Sequence, residues 1–374
     1  MLIVGHDEVR SLLDGREQDI LDLIAQAYRL HDAGRSAVPH SVFLRFPEER
    51  ANRIIGLPAY LGGSEPVAGI KWIASFPGNV ARGVERASAS MVLNSMADGS
   101  PQAFIEASLI SAKRTGASAA LAAGLLCAEP EPTGISLVGL GPINLEVLRF
   151  TAVRLPSLRT VAVYDLDAER ARTFAERVIR EVPGLTVTVA DSAASALGAH
   201  SLVSLATTAG TPHMDLSACR PEATVLHVSL RDLTVAAVLE AQNVVDDTDH
   251  VCRERTSLHL AELDTGGREF IHAELGALLC GSAGFRRGPG SRVVFSPFGL
   301  GVLDLALAQW VCDRANAEQA GVRVEGFLPG SASPGGRRAG RPGHRSPDRP
   351  AMPAQPGGGL DALAGDAAPG ASLP

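Results

Sequence analysis

The sequence lacks an excess of basic residues, since 34 Lys and Arg stand against 41 Asp and Glu, which gives a formal net charge of −7. The part expected to fold also lacks zinc-finger spacing and a basic amphipathic helix. Nucleic-acid binding depends on clustered positive charge. We therefore expect no nucleic-acid partner.

Long apolar runs are also missing. The longest, residues 117–128, is too short and too rich in alanine to cross a bilayer. The segment MLIVGHDEVR has no basic region ahead of its apolar residues and reaches acidic residues at once, unlike a signal peptide. These features predict a cytoplasmic protein with no membrane partner.

Cysteine is scarce, with five residues and no C-x-x-C spacing, which favours reduced thiols over disulfides. The ten histidines show no metal-ligand spacing, so we expect no metal site. His227 lies in the apolar run VLHVS and is interpreted as a hydrogen-bonded core residue. The 374 residues, 45% hydrophobic and 20% charged, are enough for two soluble domains.

The most informative segment is TGISLVGLGPINLEVLRF, residues 133–150, which is typical of a buried strand, a glycine turn and a helix. Gly139 and Gly141 allow the backbone to approach a pyrophosphate at the helix N-terminus. Pro142 suits the first helical turn, where its missing N–H costs nothing. Asn144 replaces the third glycine of G-x-G-x-x-G, so an ordinary strand-to-helix connection stays open as the alternative.

A second nucleotide signal is the run TVAVYDLD, an apolar strand that ends at Asp165. A carboxylate there accepts hydrogen bonds from a ribose diol and repels a 2′-phosphate, which favours NAD over NADP. The alternative is a solvated loop aspartate.

Further short apolar runs follow at regular intervals, separated by sequence compatible with helices. Together with the first two they predict an α/β, Rossmann-type doubly wound parallel sheet. The six predicted strands are residues 135–139, 161–164, 185–189, 201–205, 224–229 and 243–245.

The region before this sheet has a different pattern. Two helical segments, 7–13 and 16–31, precede strand-like runs over 41–107, which predict an antiparallel sheet. A helix over 108–127 leads into the nucleotide-binding part, and a helix over 302–320 is expected to return to the first domain.

These patterns predict two domains and a tail. The first is an α+β substrate-binding and dimerisation domain, 1–115, joined by 304–329, and the second is an NAD-binding domain, 116–303. The tail, 330–374, is rich in Pro, Gly, Ala and Arg and is predicted to be disordered.

Three cations set among apolar residues are candidates for substrate binding. Arg45 and Lys71 lie in strand-like runs, and Arg114 precedes the linking helix segment SAALAA. Together they would form a carboxylate pocket, since guanidinium groups match carboxylate geometry. The alternative is that each is an edge residue of the sheet.

Several of these segments resemble the ornithine cyclodeaminase/μ-crystallin family over nearly all of the chain up to about residue 329. Within the family, the sequence around Lys71 and the segment LHVSLRDL are most similar to the branch that forms 2,3-diaminopropionate. The segments that carry the resemblance are GIKWIASFPGN, ERASASMVLN, SAKRTGASAALAA, GLGPIN, VYDLD and SPFGLGVLDLA.

The resemblance implies site residues. Arg45, Lys71 and Arg114 would bind the substrate carboxylate, with Lys71 also an acid–base catalyst, and Asp232 would face the reacting carbon. Asp232 has a second interpretation, as the N-cap of a helix over 233–240. The implied cofactor-binding residues are Thr115, Ser118, Gly139, Gly141, Pro142, Ile143, Asn144, Asp165, Ala206, Thr207, Ser229, Gly299 and Leu300.

The resemblance also implies a homodimer and a reaction. N-(2-amino-2-carboxyethyl)-L-glutamate would be oxidised by NAD⁺ and hydrolysed to 2-oxoglutarate and 2,3-diaminopropionate, for a siderophore or peptide-antibiotic pathway. The alternatives are an ornithine or lysine cyclodeaminase, and a non-catalytic dinucleotide-dependent binding protein of the crystallin type.

Overall fold

The N-terminal part of the chain builds a sheet of eight strands, as seen in the computed structural model, which describes residues 1–328. The predicted tail therefore lies outside the described residues. The strands of this sheet are β1 (Leu2–Val4), β2 (Ser36–Ala37), β3 (Val42–Arg45), β4 (Arg53–Leu61), β5 (Val67–Ser75), β6 (Ala87–Asn94), β7 (Pro101–Glu106) and the final strand β16 (Val322–Arg323).

The predicted antiparallel pairing over residues 41–107 is confirmed, because β3 to β7 pair antiparallel in succession. Two pairings extend it. β1 joins β7 in parallel, and β16 returns to pair antiparallel with β1. A short 3-10 helix, Pro77–Arg82, connects β5 to β6.

The second sheet is entirely parallel, with the order β10-β9-β8-β11-β12-β15-β13-β14. Its first five strands in that order give the doubly wound arrangement, so the predicted fold class is confirmed. The strands are β8 (Gly134–Val138), β9 (Thr160–Tyr164), β10 (Thr186–Val189), β11 (Leu202–Leu205), β12 (Thr224–His227), β13 (Gln242–Val245), β14 (Ile271–Glu274) and β15 (Val293–Ser296).

Six of these strands match the predicted runs, whereas β14 and β15 were not predicted. β14 has the sequence IHAE, which is not an apolar run, and β15, VVFS, leads directly into the turn that begins at Pro297. β15 inserts between β12 and β13, so the chain returns to the middle of the sheet after it has formed the edge.

Helices cover the faces of the two sheets. The predicted N-terminal, linking and returning helices are present as α1, α2, α3 and α11. The helices are α1 (His6–Leu13), α2 (Glu17–Asp32), α3 (Ser108–Leu126), α4 (Pro142–Arg154), α5 (Ala168–Glu181), α6 (Ala193–Ala199), α7 (Val235–Glu240), α8 (Thr248–Val251), α9 (Ser257–Thr265), α10 (Leu275–Cys280) and α11 (Gly301–Ala317).

Helix α3 joins the two sheets. It is buried along most of its length and packs on α2, α4 and α11. Gly116 permits the close contact with α4, because a Cβ there would lie 2.7 Å from the backbone of Glu146. Residues 1–328 form one compact unit, so the domain limits at residues 115 and 303 remain a prediction.

Candidate active site

The glycine turn lies at the point where the parallel sheet changes direction, between β8 and β11. Gly139 has a φ of +83°, and a Cβ on it would lie 2.7 Å from the carbonyl oxygen of Ala206 and 2.9 Å from the Cα of Thr207. The structure thus brings these three predicted residues together, and only glycine fits the first position.

The N-terminus of α4 faces open space. Gly141 is its N-cap residue, no side chain caps the helix, and a Cβ on Gly141 would meet no atom within 4 Å. Pro142 and Ile143 follow in the first turn. The unpaired N–H groups and the positive end of this helix fit an anion such as a pyrophosphate.

Asn144 is fully buried and links three elements. Its amide donates to the carbonyl oxygens of Val138 at 3.0 Å and Gly139 at 2.8 Å, and its Oδ1 accepts from Ser204 at 2.6 Å. These contacts fix the turn from within. Asn144 therefore supports the shape of the nucleotide turn through its backbone contacts.

Asp165 follows β9 and already accepts two backbone hydrogen bonds. Leu140 donates to Oδ2 at 2.8 Å and Asp167 donates to Oδ1 at 3.0 Å. An ionised carboxylate has about four acceptor positions, so one remains on each oxygen for a ribose diol. The geometry fits the predicted role and also ties Asp165 to the glycine turn.

Thr115 and Ser118 are buried on α3, and their hydroxyls bind protein groups. Thr115 donates to the Ser111 carbonyl at 2.7 Å, and Ser118 donates to the Arg114 carbonyl at 2.9 Å. Ser118 also accepts from the Tyr28 hydroxyl at 3.2 Å. The contacts of these two hydroxyls with the cofactor phosphates remain a prediction.

Asp232 lies fully buried in a hydrogen-bond network near the carboxyl end of β12. Its carboxylate accepts from the hydroxyls of Thr207 and Ser229, and its Oδ2 lies 3.4 Å from His227 Nε2. Burial alone raises the pKa of Asp232, but its hydrogen-bond partners outweigh burial and lower the pKa below its usual value. The carboxylate is therefore ionised.

The interpretation of Asp232 as a helix N-cap is wrong. Helix α7 begins at Val235, and the hydroxyl of Thr234 caps it by accepting from the Ala237 N–H at 3.2 Å. The prediction that His227 is a hydrogen-bonded core residue agrees with its contacts: it is fully buried, its Nδ1 lies 3.1 Å from Ser296 Oγ, and the Asp232 N–H donates to its Nε2.

Lys71 and Arg114 share one buried carboxylate, Asp304. Lys71 donates to Oδ2 at 2.6 Å and Arg114 donates to Oδ1 at 3.0 Å. Burial lowers the pKa of Lys71 to about 8, although Asp304 opposes that shift. Burial raises the pKa of Asp304, and the charges of Arg114 and Lys71 outweigh it and lower the pKa. With Lys71 protonated, the three residues carry one net positive charge.

The turn that precedes α11 lies against this cluster. Gly299 has a φ of +95°, and a Cβ on it would lie 2.7 Å from the Arg114 guanidinium. Leu300 is the N-cap residue of α11 and is fully buried. Asp246, at the carboxyl end of β13, accepts from the N–H groups of Phe298 at 2.8 Å and Gly299 at 2.6 Å. These bonds connect the cation cluster to the parallel sheet.

Arg45 lies apart from Lys71 and Arg114, so the three predicted cations do not form one pocket. The register pairs Arg45 with Arg53, whereas Lys71 pairs with Leu57, four residues farther along β4. Arg45 is exposed and forms an ion pair with Glu254.

Asp304 was not predicted as a site residue. It is the only acidic residue in the apolar segment GVLDLALAQW. A lone carboxylate on a helix that is otherwise buried requires a partner. That signal is visible in the sequence, but the identity of the partners depends on the packing of α11 against β5 and α3.

Two negative findings apply to residues 1–328. No helix there combines the length and apolar character needed to span a bilayer. The described residues also bring together no group of three or more His, Cys, Asp or Glu able to hold a metal ion.

Comparison with known proteins places this site in a family. The profile of the ornithine cyclodeaminase/mu-crystallin family matches residues 6–319. The N-((2S)-2-amino-2-carboxyethyl)-L-glutamate dehydrogenase of Staphylococcus aureus is 27% identical over 330 residues, which cover 87% of this chain and 98% of that protein. The alanine dehydrogenase of Archaeoglobus fulgidus is 28% identical over 341 residues, with the same two coverages.

Solved structures show the same fold. The Thermococcus litoralis Delta(1)-pyrroline-2-carboxylate reductase, in complex with NADH and L-proline, aligns with a TM-score of 0.81 at 23% identity and covers 87% of this chain and 100% of that one. An archaeal alanine dehydrogenase dimer with bound NAD aligns with a TM-score of 0.78 at 25% identity, with coverages of 87% and 99%. Since the family profile spans most of the sequence, this chain is a member of the ornithine cyclodeaminase/mu-crystallin family.

Proposed function

We propose that this chain oxidises N-(2-amino-2-carboxyethyl)-L-glutamate with NAD⁺ and water, giving 2-oxoglutarate, 2,3-diaminopropionate and NADH. One observation carries the proposal. Two buried cations, Lys71 and Arg114, bind the same carboxylate of Asp304, and Arg114 lies against the turn at Gly299. The similarity to the Staphylococcus aureus dehydrogenase supports the choice of substrate. The diaminopropionate would supply a siderophore or peptide-antibiotic pathway.

The cofactor is NAD, and the residues of the parallel sheet fit it. The open N-terminus of α4 suits the pyrophosphate, and the free acceptor positions of Asp165 suit the adenosine ribose. When bound, NAD⁺ accepts a hydride from the carbon that bears the nitrogen. A carboxylate at Asp165 disfavours the extra phosphate of NADP.

Arg114 binds the carboxylate next to the reacting carbon, and Lys71 removes the proton of the substrate amine. A secondary amine must lose its proton before its neighbouring carbon can release a hydride. A lysine with a pKa of about 8 is partly uncharged near neutral pH, so it can accept that proton. Asp304 fixes the positions of both cations and keeps Arg114 aligned with Gly299.

Asp232 acts in the hydrolytic half of the reaction. Both of its oxygens bind hydroxyls, and the residue is fully buried, whereas Ser229 is partly exposed. We infer that water loses its proton to Asp232 through the Ser229 hydroxyl. The resulting hydroxide adds to the carbon of the carbon–nitrogen double bond, and the proton held by Asp232 passes to the nitrogen. The new hydroxyl then loses its proton to Asp232 and becomes the ketone oxygen of 2-oxoglutarate, while the C–N bond breaks and its electron pair leaves with the amine of 2,3-diaminopropionate.

The antiparallel sheet has an apolar outer face, opposite to the face that carries Lys71. Cross-strand pairing puts four exposed side chains on this outer face: Val42, Leu44, Trp72 and Phe104. Exposed apolar patches of this kind mark association surfaces. We propose a homodimer in which this face, within the 1–115 and 304–329 domain, packs against a second copy, while 116–303 binds NAD.

Product analysis tests the reaction. With N-(2-amino-2-carboxyethyl)-L-glutamate and NAD⁺, the protein should release NADH, 2-oxoglutarate and 2,3-diaminopropionate in equal amounts. Proline formed from ornithine, or pipecolate from lysine, without net NADH would replace this assignment with cyclodeamination. Tight NAD binding with no turnover of any of these amino acids would indicate a binding protein.

A further inference from the structure

A row of residues crosses the antiparallel sheet on the same face as Lys71. Arg45 pairs with Arg53, Arg53 pairs with Ser75, and cross-strand partners project from the same face. Arg86, which precedes β6, extends over the row and donates to Ser75 Oγ at 2.7 Å. Three guanidinium groups from β3, β4 and the β6 side therefore lie close together.

A fourth guanidinium reaches the row from the parallel sheet. Arg231 is anchored by a hydrogen bond of 2.9 Å to the carbonyl oxygen of Glu254, whose carboxylate pairs with Arg45. The pKa of Arg53 is lowered, first by burial and then by the positive charges of Arg231, Arg86 and Arg45. We call Arg53, Arg86 and Arg231 the guanidinium cluster.

The guanidinium cluster has too little negative charge around it. Glu254 binds Arg45 with its carboxylate and Arg231 with its backbone carbonyl, and its negative charge also raises the pKa values of Arg53 and Arg231. Asp232 acts in the same way on Arg231 and Glu85 on Arg86, so three carboxylates stand against the four guanidinium groups of Arg45, Arg53, Arg86 and Arg231. No described residue accepts a hydrogen bond from the Arg53 side chain. Half-buried guanidinium groups that repel one another destabilise the fold, and an anion bound between them removes that cost.

The cluster lies at a useful distance from Lys71. Leu57 pairs with Lys71 and Arg53 pairs with Ser75, so the two rows are four residues apart on one face, about 13 Å between Cα atoms. Between the two rows, on the same face, lies the apolar pair of Ile55 and Ile73. A single small molecule with carboxylates at both ends can therefore contact both groups of cations.

Backbone strain marks the same region. Leu230 has a φ of +68°, Glu254 of +54° and Arg255 of +54°, all in the left-handed region that such residues rarely adopt. Leu230 precedes Arg231, Glu254 accepts its hydrogen bond, and Arg255 follows Glu254. Strained backbone persists where the surrounding structure holds a functional group in place.

We propose that the guanidinium cluster is a second carboxylate-binding subsite, which takes the γ-carboxylate of the glutamate part of the substrate while Arg114 takes its α-carboxylate. This inference rests on the proposed function. By this inference, Arg53, Arg86 and Arg231 make the protein prefer substrates with more than one carboxylate. Amino acids with a single carboxylate, such as alanine, proline and ornithine, would bind less well.

The kinetic test compares the proposed substrate with the analogue in which the γ-carboxylate is a carboxamide. The wild-type protein should prefer the acid by about 10- to 100-fold in KM, the effect of a lost charge-assisted pair. In Arg53→Gln and Arg86→Gln the ratio of the two KM values should fall towards one. Arg82→Gln is the matched control, because Arg82 is exposed and bonds only Asn79.

A binding test separates this inference from the proposed function. With NAD⁺ present, glutarate should raise the melting temperature of the wild-type protein and of Arg82→Gln more than butyrate does. In Arg53→Gln and Arg86→Gln the two anions should act alike. If no N-substituted glutamate is oxidised, the proposed function fails, and the glutarate result alone decides the subsite. Equal effects of glutarate and butyrate on the wild-type protein, or equal KM for acid and amide, would overturn it.

Discussion

Lys71 on β5 and Asp304 on α11 are 233 positions apart in the sequence and 2.6 Å apart in space, and both are almost completely buried. Arg114 on α3 binds the other oxygen of the same carboxylate. Asp304 is thus the point at which the first sheet, the linking helix and the returning helix are held together.

Asp304→Asn should therefore destabilise the protein and reduce its activity. Removal of one partner leaves two buried cations without their counter-ion, which costs about 3–5 kcal/mol. Thermal unfolding measures the loss. Asp313→Asn, on the exposed side of the same helix, should change stability by less than about 0.5 kcal/mol. Equal melting temperatures for the two variants would show that the buried charge cluster contributes nothing to stability.

The pH dependence of kcat/KM should show the ionisation of Lys71. Since burial lowers its pKa to about 8, the uncharged amine forms above that pH instead of above about 10.4. If Lys71 accepts the proton of the amine, kcat/KM rises with pH through about 8. Lys71→Arg should lose this rise, because arginine stays charged. A wild-type profile that falls through the same range would instead assign Lys71 to the binding of a carboxylate in its charged form.

Asp165→Ala should weaken NAD binding by about 10- to 100-fold, because two charge-assisted acceptor positions are lost. Asp167→Asn is the control, since Asp167 caps α5 and asparagine retains that capacity. Titration of both variants with NAD and NADP measures the effect. Tighter binding of NADP than NAD to the unmodified protein would contradict the assignment of the cofactor.

Asp232→Asn should lower kcat by about 10²- to 10⁴-fold, the usual effect of a lost general base. Asparagine keeps the shape of the side chain, so the variant should fold, with a lower melting temperature because the buried charge-assisted hydrogen bonds from Thr207 and Ser229 are weakened. Asp215→Asn, an exposed carboxylate that bonds Ser217 within its own turn, should leave kcat unchanged. Near-normal turnover in Asp232→Asn would remove Asp232 from the mechanism.

Gly299→Ala should lower kcat/KM more than it lowers NAD affinity. A methyl group at a φ of +95° strains the backbone and meets the Arg114 guanidinium at 2.7 Å, so it displaces the group that binds the substrate. Gly210→Ala is a suitable control, because a Cβ there meets no atom within 4 Å. Steady-state kinetics with separate NAD titrations distinguish the two effects. A normal kcat/KM would show that the turn adapts without moving Arg114.

The sequence was sufficient for the nucleotide-binding half because its signals are local. The turn at Gly139, the strand that ends at Asp165 and their spacing lie within about 30 residues of one another. The partners of Lys71 could not be predicted, since Asp304 reaches it only through the packing of α11. The position of Arg45 was also not predictable, because its place in an apolar strand suggested a pocket with Lys71. The cross-strand register instead places Arg45 beside Arg53.

A tryptophan on the outer face of the antiparallel sheet makes the covering of that face detectable by fluorescence. The chain contains two tryptophans, and Trp72 lies exposed on that face while Trp310 lies on α11 against Arg314. The emission of an indole moves to shorter wavelength when water is removed from around it, so only Trp72 should respond when the face is covered. Intrinsic fluorescence followed through a dilution series can therefore measure the association of two copies without any added label.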